Sequence, residues 1–119
     1  MSAGISWIFD VEVNPGALDD VKALIKEMVE TNREAEPETL SYLWFVTADG
    51  RFVHGYERYP NSEAALFHVG RFAETFAARL LALSTVSGFT IYGQPSDALR
   101  EALESLDPTY LAPIDGFTR

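Results

Sequence analysis

The stretch "YERYPNSEAALFHVGRF", Tyr56 to Phe72, changes its residue pattern halfway and so indicates two kinds of secondary structure. Its first part alternates aromatic and charged side chains, as a β-strand does, and "SEAALFHV" then begins a helix. The segment between them, residues 60–62, has the composition of a turn. We therefore predict that a strand passes directly into a helix here and that polar and aromatic groups gather near His68.

The residues before this stretch predict a strand, a helix and a hairpin. "ISWIFDVEV", residues 5–13, alternates in hydrophobicity, and a helix with an apolar stripe follows it to near Asn32. Asn14 and Pro15 are interpreted as the N-cap and first residue of that helix. The acidic segment "REAEPE", residues 33–38, is interpreted as a solvated connection. "TLSYLWFVT" and "RFVHGYERY" are two strands joined through Asp49-Gly50, a strong hairpin signal.

The residues after the stretch complete the pattern. The helix that begins near residue 62 is expected to run to about Leu83, with a disturbance at Gly70. "TVSGFTIYG", residues 85–93, is rich in β-branched and aromatic residues and predicts a fourth strand. A short helix over residues 95–106 and an extended tail with a potential edge strand end the chain.

The order β-α-β-β-α-β predicts a single α+β domain over residues 1–119 with a ferredoxin-like split βαβ fold. In that fold a four-stranded antiparallel sheet carries helices on one face. Large apolar side chains nevertheless occur in both phases of the strands, as Trp7 and Ile8 or Leu43 and Trp44 illustrate. Because a face exposed to water should be more polar, we predict that a second copy covers it in a two-fold homodimer.

The composition restricts the possible partners and compartment. The formal net charge of -9 disfavours nucleic acids and anionic membranes as partners, because their phosphates would be repelled. No apolar run is long enough to span a bilayer, and "MSAGISW" does not resemble a signal peptide. The chain has no cysteine and therefore no disulfide or thiolate metal site. We expect a cytoplasmic protein.

The chain resembles the antibiotic biosynthesis monooxygenase-like superfamily, whose members are dimeric α/β barrels. The resemblance spans nearly the whole chain and rests on the element order and on the pattern E-x-Y-x-N-x-E-A-x-x-x-H, which runs from Glu57 to His68. It implies a cofactor-independent monooxygenase that oxidises a small electron-rich aromatic, a quinol or polyphenol, with O2. Such an enzyme deprotonates its substrate, and the resulting anion passes an electron directly to O2.

The resemblance and the residue types together suggest a site along strands two and three and the following turn. His68 is the candidate general base, because a histidine accepts protons near neutral pH, and Tyr56 is its catalytic partner. The candidate substrate-binding residues are Trp44, His54, Arg58 and Asn61.

The sequence also departs from the family pattern. Many relatives carry a second histidine shortly after the position of His68, where this chain reads "GRF", and the axial histidine of haem-degrading relatives is missing near Ala77. Two histidines without a third ligand do not predict a metal site. We expect no metal, flavin or haem. The alternatives left open are that His68 is a structural histidine and that the barrel binds a small apolar ligand without turnover.

Overall fold

The computed structural model describes residues 4–119; residues 1–3, part of the segment considered above for a targeting signal, lie outside the described residues. The strands are β1 (Ile5–Val13), β2 (Ser41–Val46), β3 (Phe52–Tyr59), β4 (Ser84–Tyr92) and β5 (Thr109–Leu111). The helices are α1 (Leu18–Ala35), α2 (Ser62–Thr75), α3 (Ala77–Leu83) and α4 (Asp97–Leu103), and the 3₁₀ turn Glu104–Leu106 follows α4.

The strands form one sheet in the order β2-β3-β1-β4-β5. The four long strands pair antiparallel, and β5 joins β4 in parallel. The prediction of an α+β ferredoxin-like fold with helices on one face is therefore confirmed. The sheet has five strands rather than four, because the tail after α4 returns along the edge of β4.

The main core lies between the helices and one face of the sheet. Every second residue of β1 is buried, from Ile5 to Val13, as a strand with one face toward helices requires. In this layer the ring of Phe89 packs edge to face against Trp7 at a centroid distance of 5.5 Å and against Phe9 at 5.3 Å. Such edge-to-face contacts are the favoured arrangement of aromatic rings.

Three element boundaries differ from the sequence prediction. α1 begins at Leu18, with Ala17 rather than the predicted Asn14 at the N-cap position, and Asn14 instead donates a hydrogen bond from Nδ2 to the carbonyl of Ala82. The same helix continues to Ala35, beyond the predicted end at Asn32. The helical region after β3 breaks at the buried Phe76 rather than at Gly70.

None of the described helices is both long enough and apolar enough to cross a lipid bilayer.

The face of the sheet opposite the helices is rich in apolar side chains. Leu43, Phe45 and Tyr56 are exposed there, and the strand register places Leu43, Tyr56 and Ile8 in one row. We call this surface the outer face of the sheet. It is the surface that the sequence analysis assigned to a second copy of the chain.

We predict that the protein is a homodimer joined through this outer face, burying roughly 1,600 Å² or more in total. Phe45→Glu should produce monomers at micromolar concentration, because it places a charge in an apolar contact. Phe67→Glu is the matched control, since Phe67 on α2 is 56% exposed and Phe45 is 57% exposed. Sedimentation velocity measures the outcome, and a monomeric wild-type protein would contradict the prediction.

Candidate functional site

The turn after β3 fixes the position of His68. Oδ1 of Asn61 accepts a hydrogen bond from the backbone N–H of Ala64 at 2.9 Å and so caps α2. A capping residue at this position fixes where the helix begins. The buried side of α2 contains Ala64, Ala65 and His68, and the imidazole of His68 consequently points toward the sheet, with only 4% of the residue exposed.

His68 lies between two buried carboxylates. Its Nδ1 is 2.8 Å from Oε1 of Glu36, which follows α1, and its Nε2 is 3.1 Å from Oε1 of Glu57 on β3. Each of the two glutamates is 3% exposed. Because both ring nitrogens face carboxylate oxygens, both can donate when the ring carries two protons.

Further hydrogen bonds hold the two carboxylates in place. The Tyr59 hydroxyl donates to Oε1 of Glu57 at 2.6 Å. Thr39 donates to Oε1 of Glu36 at 2.9 Å, and Nε of Arg71 donates to Oε2 of Glu36 at 3.1 Å. We call Glu36, Glu57, Tyr59, His68 and Arg71 the buried ionic network. It connects the end of α1, the end of β3 and α2.

The charges of the network favour a protonated His68. Burial by itself lowers the pKa of His68, but the charge of Glu57 and the hydrogen bonds to Glu36 and Glu57 outweigh this effect and raise it to about 9. Burial opposes ionisation of Glu36, yet the hydrogen bond and charge of His68 hold the pKa of this carboxyl below its usual value. At neutral pH His68 is therefore an imidazolium between two carboxylates.

A pocket adjoins the network between the sheet and the helices. Six aromatic residues line it: Trp7, Phe9, Tyr42, Trp44, Phe72 and Phe89. Glu57 and His68 are the acidic and basic residues of its lining, and its internal volume is about 40 Å³. An apolar chamber with one convergent polar end is typical of small-molecule sites.

Two polar atoms in the pocket wall have unmet hydrogen-bonding capacity. The Tyr42 hydroxyl lies near the side chains of Trp44 and Asn32. Within residues 4–119, however, neither this hydroxyl nor Nε1 of Trp44 has a partner at hydrogen-bond geometry. Burial and the charge of Glu57 raise the pKa of Tyr42, so it remains a neutral donor.

The structure brings together only some of the residues predicted for the site. His68 and Trp44 line the pocket, and Asn61 acts as the helix cap. His54, Tyr56 and Arg58 alternate with the buried residues of β3 and therefore lie on the outer face. Their roles in catalysis or substrate binding stay predictions, but the structure does not place these three side chains beside His68.

The sequence analysis missed Glu36 and named Glu57 only as part of the family pattern. The interpretation of residues 33–38 as a solvated connection is wrong for Glu36, which is buried against His68 and Arg71. Its partners are 32 and 35 residues away along the chain, so no local pattern marks it. The sequence signal that could have identified Glu57 is its position in β3. It lies two residues before Tyr59, so both side chains are on the same face of the strand. Among residues 4–119, no group of three or more histidine, aspartate or glutamate side chains is arranged to hold a metal ion.

The fold and this pocket define an α/β sandwich protein with a small aromatic chamber beside a buried ionic network. The sequence profile of the antibiotic biosynthesis monooxygenase family matches residues 5–72. The chain belongs to this family, as its sequence resemblance indicated. The match includes every member of the buried ionic network.

Similar solved structures support the fold, and one of them covers the full length of the chain. MupZ from Pseudomonas fluorescens is 22% identical with a TM-score of 0.89, and the alignment covers 100% of this chain and 91% of MupZ. Rv0793 from Mycobacterium tuberculosis is 26% identical with a TM-score of 0.67, covering 80% of this chain and 98% of the other. SnoaB from Streptomyces nogalater, a cofactor-independent oxygenase, is 12% identical with a TM-score of 0.67, covering 80% and 96%. No curated protein sequence matches this chain.

We predict that the charge of His68 makes stability depend on pH in the alkaline range. The pKa of His68 is raised from 6.5 to about 9 on folding. The stabilisation is therefore complete below pH 6.5 and is lost as the pH rises through 9. The difference between these pKa values corresponds to roughly 3 kcal/mol. Urea unfolding of wild type and His68→Gln between pH 6.5 and 10 should show their stability difference shrinking by about this amount.

The control for this measurement is His54→Gln, because His54 is the other histidine of the chain and its side chain is 45% exposed. Its stability relative to wild type should change little over the same range. A wild-type advantage over His68→Gln that stays constant from pH 6.5 to 10 would show that His68 is not an imidazolium in the folded protein.

Proposed function

We propose that the protein is a cofactor-independent monooxygenase that oxidises a small electron-rich aromatic, a quinol or polyphenol, with O2. The observation that carries this proposal is the aromatic pocket with the Glu57 carboxylate in its wall. Flat aromatic substrates suit such walls, and the carboxylate can accept a hydrogen bond from a substrate hydroxyl. Family membership supports the reaction class, and SnoaB shows that the fold is compatible with this chemistry.

In this proposal Glu57 rather than His68 accepts the substrate proton. An imidazolium whose two N–H groups face Glu36 and Glu57 has no free lone pair near neutral pH. The charge state therefore argues against the role that the sequence analysis gave to His68. The carboxylate of Glu57 reaches the pocket and is held there by Tyr59 and His68.

His68 then acts as an electrostatic partner. When Glu57 takes the proton, its own negative charge disappears and the substrate becomes an anion. The positive charge of His68, which had faced Glu57, stabilises this new anion in a site with little water. Glu36 and Arg71 keep the imidazolium in position throughout.

The oxidation itself needs no further reductant. The substrate anion transfers electrons to O2, one oxygen atom enters the ring, and the other leaves as water. For a quinol, the products are a hydroxyquinone and one water molecule, so atoms and electrons balance. The protein contributes the proton acceptor, the charge of His68 and an apolar chamber that limits side reactions with water.

A second candidate function is a barrel that binds a small apolar ligand without turnover. The observation in its favour is that the hydrogen-bonding capacity of His68 is used entirely within the protein. A site devoted to structure would have this property as well. The two functions differ in whether occupancy of the pocket leads to oxygen consumption.

We expect oxygen uptake by metal-stripped protein with at least one member of a panel of quinols and polyphenols, measured with an oxygen electrode. Glu57→Gln should lower the rate by about 10²–10⁴-fold, because a positioned proton acceptor contributes this much. The amide can still accept from Tyr59 and His68, so the fold should persist, which circular dichroism can verify.

The matched control is Glu27→Gln, since Glu27 is also ion-paired but lies on the surface against Arg79. This variant should keep the wild-type rate. Wild-type turnover in a folded Glu57→Gln protein would refute Glu57 as the proton acceptor. Ligand binding without oxygen uptake across the whole panel would instead favour the second candidate function.

A further inference from the structure

Three separate parts of the chain contribute half-buried residues to the lining of the pocket, and we call these residues its mouth. Half-buried lining residues come from β2 (Tyr42 and Trp44), from α2 (Val69 and Phe72) and from the 3₁₀ turn (Leu106). A residue that is half-buried and lines a pocket has one side toward the interior and another toward solvent. Leu106 lies beyond residues 5–72, the segment that the family profile matches.

The pocket is too small for an aromatic ring in this conformation. Its volume is about 40 Å³, whereas a cavity of roughly 150 Å³ is known to bind benzene. Part of the wall must therefore move before a ring can enter. The displacement of one leucine side chain provides about the required space, because that benzene-binding cavity was made by truncating one core leucine.

The 3₁₀ turn is the shortest of the three elements that form the mouth. β2 is held by its ladder with β3, and α2 is held by the Asn61 cap and the ion pairs of His68. The turn has only three residues, and Asp107 after it adopts a left-handed backbone conformation with φ of 51°. Pro108 follows and cannot continue a helix.

We infer that Leu106 limits the ligand to a single aromatic ring. The ring displaces the Leu106 side chain from the pocket, and the displaced side chain occupies the space that a second fused ring would need. This inference rests on the proposed function for the aromatic character of the ligand. It adds that a residue outside the family-matched segment sets the size limit.

The test compares the binding of phenol and 2-naphthol by isothermal titration calorimetry, which requires no turnover. Wild-type protein should bind 2-naphthol less tightly than phenol. Leu106→Ala should bind 2-naphthol at least about 10-fold more tightly than wild type and should strengthen phenol binding by a smaller factor, because both probes no longer have to displace the leucine side chain. Leu106→Phe should weaken the binding of both probes, because its larger ring occupies the mouth.

Leu83→Ala is the matched control, since Leu83 is also a half-buried leucine packed against the core but does not line the pocket. It should bind both probes as wild type does. The inference is overturned if Leu106→Ala keeps the wild-type preference between the probes, if Leu83→Ala shifts it equally, or if no variant binds either probe. A shifted preference without any oxygen uptake would support the inference and refute the proposed function.

Discussion

The contact of one buried histidine with two buried carboxylates is the interaction on which the rest of the structure depends. Glu36 comes from the end of α1, Glu57 from β3 and His68 from α2, so their contacts join three elements that are distant in the sequence. Burying charges is costly, and removal of one partner from such a set typically costs 3–5 kcal/mol. The additional hydrogen bonds from Tyr59 and Arg71 offset part of that cost. The network thereby joins α1 and α2 to β3.

The same interaction determines what chemistry the pocket can perform. A neutral histidine would be a general base, but an imidazolium held by two carboxylates is a fixed positive charge. In the proposed function the proton-accepting role therefore passes to Glu57, which lines the aromatic chamber. The pairing of an acceptor with a nearby positive charge suits a reaction that creates a substrate anion. In this account the stabilising network and the proposed site share Glu57 and His68.

The fold was predictable from sequence because its signals are local. Alternating strands, the Asp49-Gly50 hairpin and the strand-to-helix turn at Asn61 each act over a few residues, and the structure contains all of them. The site was less predictable because its contacts are long-range. The acidic composition around Glu36 indicates exposure, and only the folded chain brings His68 to it. The strands carry apolar residues in both phases, so the sequence did not indicate which face of β3 the helices cover. Tyr56 was therefore assigned to the site, although its side chain lies on the outer face.

The protonation state of His68 is the central claim, and nitrogen NMR of protein labelled with ¹⁵N-histidine tests it most directly. The chain has two histidines, so a His54→Gln variant isolates the signals of His68. The account predicts that both ring nitrogens give imidazolium shifts at pH 7.5 and that they titrate near pH 9, the value to which the pKa of His68 is raised. Shifts of a neutral imidazole at pH 7.5, with titration at or below pH 6.5, would contradict it.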